Sequence, residues 1–145
     1  MKTLLRLLQF DFVPRSGDFA LLLLRVWLGL TMLLNHGWAK AAGFSDKADG
    51  FADPLGVGTT ASLVLTIFGE VVCSILLVLG LLGRFAAAVL IITMGVAFCL
   101  VHRMALSGEF SGELAFIYLA GFVALFLAGP GRYSLDTKLG LGKSK

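Results

Sequence analysis

The chain has 145 residues, of which 58% are hydrophobic and only 14% are charged. This composition is too apolar for a soluble domain of this size and predicts a membrane protein. The formal net charge of +3 does not indicate nucleic-acid binding, because the basic residues are scattered along the chain instead of being clustered with aromatic residues.

Residues 1–17 combine basic side chains with a short apolar stretch. Asp11 and Pro14 interrupt that stretch and no small-residue cleavage pattern follows it, so we do not expect a cleaved signal peptide. We expect instead a helix that lies on the membrane surface. The residues on its apolar face are Leu4, Leu5, Leu8 and Phe12.

The first long apolar run covers about residues 19–38 and contains one full charge, Arg25. A run of about 20 residues crosses the hydrocarbon core, so it predicts a transmembrane helix. Arg25, Gly29, Met32 and His36 recur at helical spacing and share one face. Because a lipid-facing arginine costs about 2.5 to 3.5 kcal/mol, we expect this face to point into the protein.

Three further apolar runs follow, at about residues 60–82, 85–102 and 112–128. Each is close to the length that spans a bilayer. Only a tight turn at Gly83 and Arg84 separates the second run from the third, so these two helices should be antiparallel. We therefore predict an all-α protein: residues 1–145 form a single membrane domain, an up-down bundle of four helices.

The basic residues predict the orientation of this bundle. If the connections alternate between the two sides, eight lysines and arginines fall on the side of both termini and three on the other side. The positive-inside rule then places the N-terminus and the C-terminus in the cytoplasm. The eight are Lys2, Arg6, Arg15, Arg84, Arg132, Lys138, Lys143 and Lys145, and the three are Lys40, Lys47 and Arg103.

Glu70 is a second charge within an apolar run. At about 1.5 Å of rise per residue in antiparallel helices, its depth falls between those of Arg25 and His36. A guanidinium pairs well with a carboxylate in a dry site, so the sequence predicts an intramembrane polar pair of Arg25 and Glu70. This pair is either a structural ion pair that fixes helix register or part of a proton or ligand site.

A second polar group is predicted at the outer ends of the helices. Its members are His36, Lys40, His102 and Glu113, with Glu109 beside them. Each residue alone is typical of a solvated helix end, but together they suit a quinone head group, proton exchange or a metal. Metal is the weakest of the three, because no two of these residues have the spacing of ligands on one helical turn. We expect no metal site, and Cys73 and Cys99 form no Cys-x-x-Cys motif.

Several different short motifs lie along residues 19–136, and the last of them, Gly-Pro-Gly-Arg-Tyr-Ser-Leu-Asp, is the most specific. The motifs are Arg25 with Gly29, His36-Gly37 with Lys40, Glu70, Gly80-Leu-Leu-Gly-Arg84, Val101-His102, Glu113 with Tyr118, and Gly129 to Asp136. Together they resemble the DoxX family of small four-helix bacterial membrane proteins. The resemblance implies a multi-pass protein of the bacterial inner membrane. It also implies a link to redox chemistry, since some relatives are tied to thiosulfate:quinone oxidoreductase or to other membrane-associated oxidoreductase assemblies.

Three functions stay open at this point, as does the question of whether the chain is an enzyme. The first is an accessory subunit of a membrane-associated oxidoreductase or redox-stress system, with a polar cavity for a quinone or lipid head group. The second is a small-molecule or proton transporter module built on Arg25, Glu70 and His36. The third is a structural membrane scaffold. The expected partners are the lipid bilayer and membrane oxidoreductase subunits, a homo-oligomer is also open, and nucleic acid is not expected.

Overall fold

The structure, a computed structural model, describes residues 16–141 together with Leu8 and Phe10. Every regular element in these residues is a helix and none is a strand, which confirms the predicted all-α class. The predicted surface helix at 1–17 lies outside the described residues, apart from Leu8, Phe10 and its last two positions.

Within the described residues, three helices are long and apolar enough to cross a membrane: α1 (Gly17–Ala42), α3 (Thr59–Leu79) and α4 (Gly83–Val101). A fourth apolar helix, α5 (Glu113–Ala128), has 16 residues. At about 1.5 Å per residue it is about 24 Å long, which is shorter than a hydrocarbon core of about 30 Å. The fourth span and the complete four-helix bundle therefore stay predictions. Two short helices, α2 (Phe44–Lys47) and α6 (Leu135–Lys138), follow α1 and α5.

The helix boundaries differ from the predicted ones where local chemistry outweighs hydropathy. α1 continues past Trp38 to Ala42, because alanines and Lys40 are good helix formers and Gly43 is the first residue to break the pattern. α3 ends at Leu79 instead of residue 82. Gly80 takes the left-handed conformation (φ 66°), and the N–H of Leu81 donates to the carbonyl of Leu76, which closes the helix.

The helices pack through a core of buried apolar side chains. α4 packs along α5 and against the middle of α3, and α1 packs against α3 and α5. Gly37 of α1 lies so close to α3 that an added Cβ would sit 2.6 Å from the carbonyl oxygen of Glu70. Small residues at such points let membrane helices approach closely. The core residues are Met32, Cys73, Leu77, Ala86, Ala87, Leu90, Met94, Tyr118, Phe122 and Leu125.

The outward surface of these helices is also apolar. Trp27, Ile92 and Leu127 are each about two-thirds exposed on three different helices (67%, 65% and 70%). A soluble monomer rarely exposes contiguous apolar surface on this scale, whereas lipid tails solvate it without cost. The protein is therefore a multi-pass membrane protein whose helices contact the bilayer.

Candidate functional site

A cavity of about 660 Å³ lies among α1, α3, α4 and α5. It sits at the end of the molecule that holds the connections 43–58 and 102–112, called here the cavity end. Most of its lining side chains are apolar, and a few polar groups converge on it. That volume and mixture are typical of small-molecule sites.

Lys40 and Glu70 form an ion pair on the wall of this cavity. Lys40 Nζ donates to Glu70 Oε2 at 2.6 Å. Glu70 is only 4% exposed, while the Lys40 side chain is 23% exposed. The close packing of Gly37 on the backbone of Glu70 brings α1 and α3 together and places Lys40 next to the Glu70 carboxylate. The bond uses one lysine donor and one carboxylate oxygen.

His36 and Tyr118 stand beside this ion pair with unused hydrogen-bonding capacity. The edge of one ring meets the face of the other, with centroids 5.6 Å apart and planes at 86°. Among the described residues, neither the His36 ring nitrogens nor the Tyr118 hydroxyl makes a hydrogen bond, and Glu70 Oε1 is also without a partner. These atoms line a cavity and have no partner in the described residues, so they are available to a ligand or water.

His102 lines another wall of the cavity, after the last turn of α4. Its Nδ1 lies 3.0 Å from the carbonyl oxygen of Phe110. Since a carbonyl only accepts, the proton of that hydrogen bond belongs to Nδ1. The neutral ring then leaves Nε2 as an acceptor.

The loop after α2 folds over the cavity, and Asp53 holds it in place. The Asp53 carboxylate accepts hydrogen bonds from Ser62 Oγ at 2.7 Å, the Gly58 N–H at 2.8 Å and the Val57 N–H at 3.0 Å. The bond from Ser62, followed by those from the backbone, lowers the pKa of Asp53 below its usual value. The loop residues that line the cavity are Phe51, Ala52, Pro54 and Leu55.

Three of the long helices loosen into π-helical turns at the level of the cavity. These turns are Leu33–Gly37 in α1, Phe68–Cys73 in α3 and Ala97–Val101 in α4. The first contains His36, the second contains Glu70, and the third directly precedes His102. Isolated π turns inside α-helices are frequent at functional sites, because they re-aim one side chain at a small cost in backbone geometry.

The predicted pairing of Arg25 with Glu70 is not made. Arg25 is 2% exposed and donates from Nη1 to the carbonyl of Pro130 and from Nη2 to the carbonyl of Tyr133 at 2.5 Å. The side chain turns away from Glu70 because Gly80 leaves room for the guanidinium, where a Cβ would lie 2.5 Å from Nη1. Lys40, at the far end of the same helix, takes Glu70 instead.

Residues 129–136, called here the closure segment, thus organise the opposite end of the molecule, the closure end. Asp136 has a structural role in this segment that was not predicted from the sequence. Its carboxylate accepts from the N–H groups of Leu82 at 2.7 Å and Gly83 at 2.9 Å and so caps the start of α4. In the sequence, the closure segment was predicted only to end a helix and to carry a family motif. Helical periodicity does not indicate that Asp136 caps α4.

The structure brings together most of the predicted outer group. His36, Lys40 and His102 line one cavity and are joined there by Glu70. Glu113 is exposed in the first turn of α5 and does not line the cavity, and Glu109 is exposed as well. Within residues 16–141 no group of three or more His, Cys, Asp or Glu side chains is arranged to hold a metal ion. Tyr118 was visible in the sequence only as part of a motif.

Residues 20–103 of the chain match the family model described as DoxX. An uncharacterized protein of Haemophilus influenzae is 34% identical over 114 residues, which cover 74% of this chain and 81% of that protein. An uncharacterized membrane protein of Mycobacterium tuberculosis is 40% identical over 82 residues, which cover 48% of this chain and 50% of that protein. No solved structure matches the chain significantly. The matched family region contains His36, Lys40, Glu70 and His102, and it ends before Tyr118 and the closure segment.

Proposed function

The chain belongs to the DoxX family, and from that premise we propose that its cavity binds the polar head of an amphipathic membrane molecule, a quinone being the first candidate. In this proposal the protein is an accessory subunit of a membrane-associated oxidoreductase or redox-stress system. It lies in the bacterial inner membrane as an up-down four-helix bundle with both termini cytoplasmic.

The Lys40–Glu70 ion pair on the wall of a mostly apolar cavity is the observation that carries this proposal. A quinone carbonyl accepts hydrogen bonds, and Lys40 Nζ and the Tyr118 hydroxyl have donors to spare. The hydroxyl of a quinol donates, and Glu70 Oε1 and His36 accept. The same few side chains therefore suit either form of the head group, while the apolar walls suit what is attached to it.

Transport is the less favoured function, because mainly apolar buried side chains separate the two buried charged groups, with Ser74 as a polar residue among them. Met32 lies between Arg25 and His36 along α1, and Cys73 and Leu77 lie between Glu70 and Gly80 along α3. These side chains are 3% exposed or less. Ionisable groups that relay protons or ions face a wet or polar path.

A purely structural scaffold is also less favoured. It would have no use for a cavity of this size or for the polar groups that converge on its wall. The accessory role itself rests on the family resemblance, in which some relatives are tied to oxidoreductase assemblies. Its partner subunits, or a second copy of the chain, would be identified by mass spectrometry after purification in mild detergent.

The binding proposal is tested with the full chain in lipid nanodiscs titrated with decylubiquinone. Binding is followed by quenching of Trp38 fluorescence in a Trp27→Phe background. We expect saturable binding that Lys40→Met weakens by about tenfold, or about 1.4 kcal/mol, while Lys47→Met at the exposed end of α2 leaves it unchanged. Absence of saturable binding would refute the quinone site. Displacement by a lysophospholipid at lower concentration would identify a lipid head group as the occupant instead.

A further inference from the structure

Helices α3 and α4 are packed together along only part of their length. At Gly69 they are so close that an added Cβ would lie 2.5 Å from Thr93 Oγ1, and α4 stays packed on α3 from there toward the closure end. The remaining part of α3, Thr59–Ile67, packs instead against residues 38–42 of α1. The two helices therefore diverge toward the cavity end.

The space between the diverging helices opens the cavity sideways. Leu65 and Phe68 of α3 and Ile92 of α4 all line the cavity and are 56%, 39% and 65% exposed, so they lie at its rim. A side chain that faces both the cavity and the lipid surface marks the mouth of an opening. These three residues, called here the side mouth, are entirely apolar.

The approach to the cavity from the connection 43–58 is covered. Phe51, Pro54 and Leu55 line it from the loop, and Asp53 anchors that loop to Ser62 at the start of α3 by the hydrogen bond described above. A molecule that arrived from water on this side would have to displace this loop. A molecule dissolved in the bilayer meets the side mouth directly.

We propose that the ligand enters through the side mouth from the leaflet at the cavity end, and that it carries an apolar chain which lies in that mouth while its head lies at Lys40 and Glu70. The ligand class is thus a lipid-phase molecule with a hydrogen-bonding head and a long apolar chain. A prenyl quinone and a lipid share this chemistry. The inference rests on the proposed function for the polar part of the site.

The first test compares decylubiquinone with the same quinone ring lacking the decyl chain, in nanodiscs and with concentrations expressed per lipid. We expect the chain-free ring to bind at least about tenfold more weakly. Ile92→Trp, which fills the side mouth, should weaken the binding of decylubiquinone by a similar factor. Leu127→Trp on the lipid face of α5 should leave the binding unchanged. Equal binding of both compounds, unaffected by Ile92→Trp, would overturn the proposed chain position.

The second test does not depend on the ligand. Thr66 lines the cavity, so Thr66→Cys in a background lacking Cys73 and Cys99 reports which reagents reach it. We expect a dodecyl maleimide to react at least about tenfold faster than a sulfonated maleimide, and Ile92→Trp but not Leu127→Trp to slow the dodecyl reagent by a similar factor. Faster reaction of the sulfonated reagent would place the access route at the loop. Lipid-side labelling without quinone binding would retain the side mouth and reject the quinone, which separates the two failures.

Discussion

A carboxylate as buried as Glu70 is tolerated only because a cation lies beside it. Lys40 supplies that cation at 2.6 Å, and its side chain remains 23% exposed. Removing one partner of a fully buried pair costs about 3 to 5 kcal/mol, and the partial exposure of Lys40 reduces that figure here to about 1 to 3 kcal/mol. The two residues therefore form one energetic unit.

This unit predicts a non-additive pair of substitutions. Lys40→Met should lower the free energy of unfolding by about 1 to 3 kcal/mol, because Glu70 is left without its partner, and Lys40→Met with Glu70→Gln should recover much of that loss. Thermal unfolding in detergent measures both, with Lys47→Met as the control. A double variant that is no more stable than Lys40→Met would show that the two charges are not coupled.

Asp53 links the loop over the cavity to pH. Its pKa is lowered in the folded protein, so the stabilisation that it gives is complete above its unfolded pKa of about 3.9 and is lost as the pH falls through the lower folded value. We expect hydrogen exchange of the Val57 and Gly58 amides, corrected for intrinsic rates, to accelerate only below about pH 3.9. In Asp53→Asn the protection should be weaker and independent of pH in this range. If the protection of these amides in the parent protein does not change with pH, the carboxylate does not hold the loop.

At the scale of the helices, the site depends on how closely α1 approaches α3. The contact is tightest at Gly37, where a Cβ would meet the backbone of Glu70 at 2.6 Å. A backbone cannot yield as a flexible side chain can, so a methyl group there must push the helices apart. Separation at this point would also pull Lys40 from Glu70.

Gly37→Ala should therefore lower the free energy of unfolding by about 1 to 3 kcal/mol and weaken quinone binding. Gly95→Ala is the matched control, because nothing lies within 4 Å of its added Cβ and the residue is also inside a helix. There the substitution should be neutral or stabilising by up to about 1 kcal/mol, as expected from helix propensity. The prediction fails if both alanine variants melt like the parent.

The helices themselves were predictable from the sequence, whereas the pairing of their charges was not. Apolar runs and glycine or proline residues fix where a helix begins and ends to within a few positions, as Gly43 and Gly80 show. The partners of Arg25 are two backbone carbonyls more than 100 positions away. Every residue has a backbone carbonyl, so the residue types in the sequence do not reveal which ones accept from Arg25. The π turns at His36 and Glu70 also rotate side chains relative to ideal helical spacing, so face diagrams could not assign Lys40 to Glu70.

At the scale of the whole molecule, the two ends are built differently. The closure end is tied by Arg25 to the carbonyls of the closure segment, by Asp136 to the start of α4, and by Asp18 to the N–H of Arg132 at 2.9 Å. The cavity end has a loop held mainly by Asp53 and helices that diverge. If the cavity binds a ligand as proposed, exchange at the cavity end would leave the packing at the closure end in place.

The orientation of these ends in the membrane decides which compartment the cavity adjoins. Apart from Arg25 within α1, the predicted topology assigns eight of the other eleven lysines and arginines to the side of the termini, so the positive-inside rule predicts that the cavity end lies outside the cytoplasm. Ser45 and Ser107 are exposed at the cavity end, and Lys138 is exposed at the closure end.

In a background lacking Cys73 and Cys99, cysteines at Ser45 and Ser107 should react with an impermeant maleimide added to intact cells. A cysteine at Lys138 should react only after the cells are opened, and labelling of all three in opened cells controls for thiol reactivity. Labelling of the Lys138 position alone in intact cells would show that the orientation in the membrane is the opposite of the predicted one. The side mouth would then open into the cytoplasmic leaflet, and any oxidoreductase served by the site would have to reach it from that side.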